Sequence, residues 1–420
     1  MVTLEQMRSS NARIPDCLPR EVVAVFVGGT SGIGEATMKQ LAKYAVQPRI
    51  YFIGRSERAA TRILGELEAI NPAGKYHFLQ ADMSLLQNVD RVCGEVKNRE
   101  RFINLIFLTS GTSVTGKETP EHLYYPTAVT YYARIRLIVN LLPLLQRAPA
   151  LRRVVSVFGG TKEGPVMVGD LQGRSLALPP RSASPKGHRA AAGGGGGGPD
   201  LDGGHSQYSN NNIIKSHLVQ LRAHTSSMMT LALESLALEA PDVSFVHSSP
   251  GCVRTPLGRE IHAATTAASA STSTSTSASS SSAVGLVRLV LNKVVGTPMV
   301  ALAPEEAGER QLYLATSGRF PPARGGPRSR GSGSGNGGVG VGSSGSGTAG
   351  VELREGDGVA VARGTDARVG SGVYSVDSDG EPQGYKAEET MRRLREADLV
   401  RRLWLHTVGE FIRVTGTEFV

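Results

Sequence analysis

The chain predicts an α/β protein with a doubly wound parallel sheet, and three features of its 420 residues lead there. Short runs rich in β-branched residues alternate with stretches of helical period. These runs are apolar on both sides, the pattern of strands covered by helices on both faces. A glycine-rich turn joins the first run directly to the first helical stretch.

Residues 22–27 form the first buried strand, and 32–44 a helix with Ile33, Ala36, Leu41 and Ala42 inward. Residues 49–53 give the second strand and 57–70 a helix with Ile63, Leu64 and Leu67 on one face. A short strand at 77–80, a helix at 84–98 and a buried strand at 103–108 continue the alternation. A long helix spans 127–145 with Pro143 near its end, followed by a strand at 153–158, a helix at 222–239 and a strand at 243–247. Crossovers are expected to be right-handed. Met228, Leu231 and Leu233 read as helix core, and His247 as a strand residue. Tyr124, Tyr125, Tyr131 and Tyr132 read as aromatic packing beside a pocket mouth. The last stretch, 352–420, mixes turns with one helix at 386–402, with Trp404, Phe411 and Ile412 as packing anchors.

Three stretches lack the apolar surface to offset their ordering entropy: 179–204 with six consecutive glycines, 263–282 of Ala, Ser and Thr, and the Gly/Ser-rich 321–350. They read as disordered insertions, cheap in loop closure. The expected organisation is one domain over 1–320 with insertions near 179–204 and 263–282, a low-complexity linker at 321–350, and a C-terminal cap segment at 351–420.

Composition excludes several classes. Cys17, Cys93 and Cys252 are too few and too scattered for a disulfide framework or a metal site, which favours a reducing compartment. The net charge is +9, but no basic helix carries interleaved aromatics, so no nucleic-acid partner is expected. The N-terminus lacks the apolar centre of a signal peptide. The most apolar window, 283–303, is broken by Arg288, Asn292 and Lys293, so no membrane span is expected and the location reads as cytoplasmic.

The strongest motif is Gly28-Gly29-Thr30-Ser31-Gly32-Ile33-Gly34. Placed after a buried strand and opening a helix, it offers backbone N–H groups and the helix's partial positive charge to a pyrophosphate. This motif resembles the T-G-x-x-x-G-I-G pattern of the short-chain dehydrogenase/reductase family, with Val27 in place of the threonine. Further landmarks follow in order over about 21–255: Asp82-Met83 after the third strand, Leu108-Thr109-Ser110-Gly111 at the family's N-A-G, Ser156 at its catalytic serine, and Pro250-Gly251-Cys252-Val253-Arg254-Thr255 at its P-G-x-V-x-T loop.

The resemblance implies a Rossmann-like dinucleotide-binding fold. Cofactor contacts are implied at Gly28, Thr30, Ser31, Gly32, Ile33, Gly34, Arg55, Asp82, Met83, Ser110, Gly111, Val253 and Thr255. An acidic residue after the second strand would bind the ribose hydroxyls of NAD; Arg55 stands there instead and suits a 2′-phosphate, so NADP(H) is the expected cofactor. Dimers and tetramers are common in the resembled family, so a homo-oligomer is implied.

The family's catalytic tyrosine and lysine do not align. Counting back from Pro250 puts Val219 or Gln220 at the tyrosine and His224 at the lysine, and no Y-x-x-x-K follows Ser156. Counting back from Pro143 puts Thr130 or Tyr131 where the family carries asparagine. Three readings stand. Tyr208 is the acid, with Lys215 or His224 as its cation. Alternatively His224 or another group supplies the proton while Ser156 orients the substrate. In the third, the chain binds nucleotide with weak or no catalysis. The stretch from His224 to Glu234, with Phe245 to Gly251, is similar to a divergent branch of filamentous fungi associated with secondary metabolism. That branch implies an oxidoreductase acting on a small apolar carbonyl, alcohol or enone.

Overall fold

The computed structural model describes residues 1–176, 205–258, 301–324 and 349–420, with side chains for all but 205–216. The expected insertions at 179–204 and 263–282, most of the linker at 321–350, and the window 283–303 up to residue 300 lie outside the described residues.

Seven strands form one sheet in the order β3-β2-β1-β4-β5-β6-β7. They are β1 (Val23–Val27), β2 (Arg49–Gly54), β3 (Lys75–Gln80), β4 (Leu105–Leu108), β5 (Arg153–Val157), β6 (Ser244–Ser248) and β7 (Val373–Val376). Every neighbouring pair is parallel. Strand order reverses between β1 and β4, which opens a crevice at the carboxyl ends of the strands, where such sheets bind ligands.

The helices are α1 (Leu4–Ala12), α2 (Gly32–Tyr44), α3 (Glu57–Ile70), α4 (Leu86–Arg99), α5 (Ala133–Gln146), α6 (His205–Glu239), α7 (Pro304–Thr316), α8 (Tyr385–Glu396) and α9 (Leu399–Thr415). Single turns at Ile14–Cys17 and Tyr125–Thr127 are left unnumbered. The alternating side chains of β1 divide the core in two. Val23, Val25 and Val27 join a layer with Val92 of α4, Leu137 of α5, Met228 of α6 and Phe411 of α9. Ala24 and Phe26 join the opposite layer with Leu41 of α2, Ile63 of α3 and Leu312 of α7. Gly308 lets α7 approach α2 closely, since a Cβ there would stand 2.9 Å from the Ala36 backbone.

Helices α2 and α3 match their sequence reading; Ser56 caps α3 by accepting from the Ala59 N–H at 3.2 Å. Other elements differ. The helix expected over 127–145 opens with a π turn, Ala128–Tyr132, before α5 begins. The helix expected at 222–239 starts at His205. The single helix expected at 386–402 is two, because Asp398 adopts φ 55° and breaks it. Ile412, expected as an anchor, is 45% exposed, whereas Phe411 is buried and Trp404 is partly so. The 351–420 segment also completes the sheet by supplying β7. The run Tyr125–Gln146 is long and apolar enough to cross a membrane, but 89% of its apolar window is buried, as in a core helix. The three cysteines are unpaired.

Two buried arginines lock the C-terminal half onto the sheet. Arg153 donates to the carbonyls of Leu314, Ser317 and Ala349 at 2.8, 3.1 and 2.9 Å. Arg136 grips Asp90 through two bonds of 2.7 and 2.8 Å and also holds Thr415 and Thr417 at the end of α9 and just beyond it. Replacing Arg136 by Ala leaves the partly buried Asp90 carboxylate with the Asn140 amide, which donates to it at 2.8 Å, but without its cation, and removes the bonds to Thr415 and Thr417. Urea unfolding should show a loss of roughly 3–5 kcal/mol; a change below about 0.5 kcal/mol would show that the clamp contributes nothing.

A candidate active-site cleft at the carboxyl ends of the strands

The turn from β1 into α2 runs against the end of β4. Gly28 adopts φ +85°, and a Cβ on it would lie 2.8 Å from the Ser110 nitrogen. Gly34 packs on the same turn, where a Cβ would come within 2.5 Å of the Gly28 carbonyl. The Thr109 hydroxyl, 3.0 Å from the Val27 carbonyl and 3.2 Å from that of Gly28, stitches β4 to the turn. Ser31, at the N-cap of α2, makes no side-chain cap. The first-turn N–H groups therefore have no cap from Ser31, and Ser31 itself lines the crevice.

The sequence-expected cofactor residues collect along this cleft. Gly28, Thr30, Ser31, Gly32 and Ile33 line its floor; Arg55 stands at the end of β2, and Asp82 and Met83 after β3. Ser110, Gly111 and Thr255 also line it. Asp82 accepts from the Ser84 N–H at 2.9 Å, fixing the turn after β3. Gly34 lies behind the turn as a packing residue, and Val253 forms a bridge with Leu302 instead of lining the cleft.

At the far end the arrangement departs from expectation. Ser156, on β5, is fully buried and does not itself line the cleft. Its Oγ accepts from Arg134 Nη1 at 2.8 Å, and it is Arg134 that borders the cleft, beside Val157 and Phe158. Arg134 also donates to the Val157 carbonyl at 3.0 Å and to the Ser110 carbonyl. Burial pulls its guanidinium down to about 9. Thr130, at the expected asparagine position, lines the cleft but spends its hydroxyl on the Pro126 carbonyl at 2.6 Å. Tyr131 points away and bonds Thr407 at 2.7 Å.

His224 does not fit the proton-donor or cation role expected of it. Its Nδ1 accepts from the Met167 N–H at 3.1 Å, so Nε2 carries the proton, 3.1 Å from the Leu171 carbonyl. With both nitrogens engaged, and outside the cleft lining, the ring staples the loop after β5 to α6. Ser227 on the same helix bonds the Gly164 backbone at 2.9 and 2.6 Å. Tyr208 and Lys215 lie on α6, and their side chains are outside the described residues. Tyr125 lines the cleft, whereas Tyr132 bonds His406 at 2.7 Å.

A second buried cluster underlies the same loop. Glu163 Oε1 accepts from Ser375 at 2.5 Å and from Thr230 at 2.8 Å. His247 Nε2 accepts from the Gly159 N–H at 3.1 Å, which leaves the proton on Nδ1, 2.8 Å from the Thr230 hydroxyl. Burial pushes the Glu163 carboxyl up, and the neighbouring His247, 3.6 Å away, together with bonds from Ser375 and Thr230, more than reverses this, leaving it below its ordinary value. Neither this cluster nor Arg134 was expected from the sequence. The signal for Arg134 was there: a charge inside the apolar stretch 128–145 with no acidic residue three or four positions away.

A family model described as short chain dehydrogenase matches residues 22–136. The oxidoreductase andH of Emericella variicolor is 31% identical across 99% of both chains. The oxidoreductase AN1596 of Emericella nidulans is 31% identical across 97% of both. A 3-oxoacyl (acyl-carrier-protein) reductase from Agrobacterium tumefaciens, solved with NADP bound, is similar over 72% of this chain and 90% of its own, at 15% identity and a TM-score of 0.45.

The buried and half-buried histidines make stability depend on pH. Burial holds His77, His224, His247 and His406 below the ordinary value of 6.5. The folded state therefore binds fewer protons than the unfolded state, and the stability this gives is present above about 6.5 and lost as pH falls below it. The thermal midpoint should hold near pH 7.5 and drop steadily from 6.5 to 5; a midpoint that rises over that range would mean that these imidazoles are not held neutral in the fold. His224→Ala should lower stability by about 1–3 kcal/mol, through the unpaired Met167 N–H and Leu171 carbonyl, while dinucleotide affinity stays within about twofold by fluorescence titration.

Proposed function

The chain belongs to the short-chain dehydrogenase/reductase family, and on that footing we propose that it is an NADP(H)-dependent oxidoreductase acting on a small carbonyl, alcohol or enone. The observation that carries this reading is the N-terminus of α2, without a side-chain cap, behind a glycine turn that no larger residue could form. A diphosphate would take its N–H groups as acceptor. Arg55, at the end of β2 where the adenosine ribose would lie, offers a planar donor to a 2′-phosphate. The bound nicotinamide would supply or take the hydride; the protein's share is to hold that ring and the substrate together at the far end of the cleft.

There the residues suited to a substrate are Arg134, Val129, Val157 and Phe158, a largely apolar wall with one cation. The apolar wall supports a small, mostly apolar substrate. A role in secondary metabolism is supported by the likeness to fungal oxidoreductases. The engagement of His224 with backbone favours a second reading, a nucleotide-binding protein with weak or no turnover.

A thermal-shift titration separates these. NADPH at a hundred times its dissociation constant should stabilise the fold by about 2.7 kcal/mol, and NADH by less. Arg55→Asp should weaken NADPH by tenfold or more and narrow or invert the preference. No shift with either dinucleotide would overturn the proposal; NADPH binding without consumption across a broad carbonyl panel would select the second reading.

A further inference from the structure

Arg134 is 2% exposed, yet it borders the cleft. Among the described residues no carboxylate lies within ion-pair distance of it, and its buried Nε has no hydrogen-bond partner. Its anchors are all neutral: the Ser156 hydroxyl at 2.8 Å, the Val157 carbonyl at 3.0 Å and the Ser110 carbonyl. The Phe158 ring lies 5.8 Å from its Cζ. The other fully buried arginines differ. Arg136 has Asp90, and Arg153, which also lacks a carboxylate, is bonded to carbonyls away from the cleft. A buried cation is costly unless an anion meets it, and of these three described arginines only Arg134 stands where a ligand could bring one.

Resting on the function proposed above, we infer that Arg134 is the group that receives the substrate's oxygen, with Ser156 beneath it as its anchor. This reverses the order that the sequence implies, in which the serine meets the carbonyl. Bonds to Ser156, Val157 and Ser110 fix the guanidinium plane before substrate arrives. During reduction a bound dihydronicotinamide would supply the hydride for the new C–H bond, being oxidised as it does so, while the C–O π pair moves onto oxygen. Arg134 holds that negative charge in a site already oriented for it, and water then supplies the proton. A preorganised donor aimed at developing charge needs no strong acid beside it, which accommodates a chain without Y-x-x-x-K.

The test uses the full chain with NADP⁺ and benzoate, whose carboxylate mimics the charged oxygen. Benzoate binding is read by fluorescence titration with and without NADP⁺, on wild type, Arg134→Met, Arg134→Lys and Ser156→Ala, each checked for folding by circular dichroism. Benzoate should bind wild type, weaken tenfold or more in Arg134→Met, recover to within a few-fold in Arg134→Lys, and weaken by less in Ser156→Ala, while NADP⁺ affinity stays within about threefold throughout. With an aromatic diketone and NADPH, kcat of Arg134→Met should fall by about 100-fold or more, with partial rescue in Arg134→Lys. Wild type that does not bind benzoate, or Arg134→Met that binds it as tightly as wild type, overturns the inference. Failure of the function proposal reads out separately, as benzoate binding that depends on Arg134 in a protein with no affinity for NADP⁺.

Discussion

The close approach of backbone to backbone between the turn after β1 and the end of β4 is the constraint on which the rest depends. Gly28 and Gly34 leave no room for a side chain there, and Thr109 seals the contact from the β4 side. With the turn pressed into the sheet, α2 must start at the crevice, and its first-turn amide groups have no cap from the Ser31 hydroxyl. The chemistry of the cleft's first half therefore comes from main chain, and the identities of Thr30, Ser31 and Ile33 matter less than the shape of the path they follow.

This explains which parts of the molecule were legible in sequence. A glycine turn between a buried strand and a helix has a local cause and a local pattern, so β1, α2, β2 and α3 lie where their residues place them. Strand β7 is different. Val373–Val376 is four residues long and takes its ladder partner from β6, far away in the chain, with just one local bridge from Val376 to Pro382, so little near it announces a strand. The π turn at Ala128–Tyr132 was equally hidden, since it is a shift of hydrogen-bond register inside an apolar stretch whose composition is ordinary helix.

The catalytic end was legible only in part, for a related reason. Ser156 could be placed from its strand, but what covers it could not. Arg134 reaches it across 22 positions of sequence, and His224 reaches the loop after β5 across 57 and 53. A histidine counted into the position of a catalytic lysine looks functional until its two nitrogens are found bonded to backbone. Conversely, an arginine in a core helix looks like an oddity until its neighbours prove to be neutral and its edge faces a cleft. Arg153, with the same uncompensated burial and no access to a ligand, shows that position rather than burial separates the two.

The placement of β7 has a consequence for how the chain is made. Ser375 bonds both Glu163 and the Thr161 N–H, so the loop that flanks the cleft is fastened by a strand near the end of the polypeptide. During synthesis the six earlier strands emerge first, and the β6 edge stays unpaired with Glu163 still short of one partner. A nascent chain at that stage offers a bare sheet edge to its surroundings. Any ribosome stall or nonsense codon before residue 373 releases a product with its nucleotide turn already encoded and β6, an interior strand of the finished sheet, left as a permanent edge.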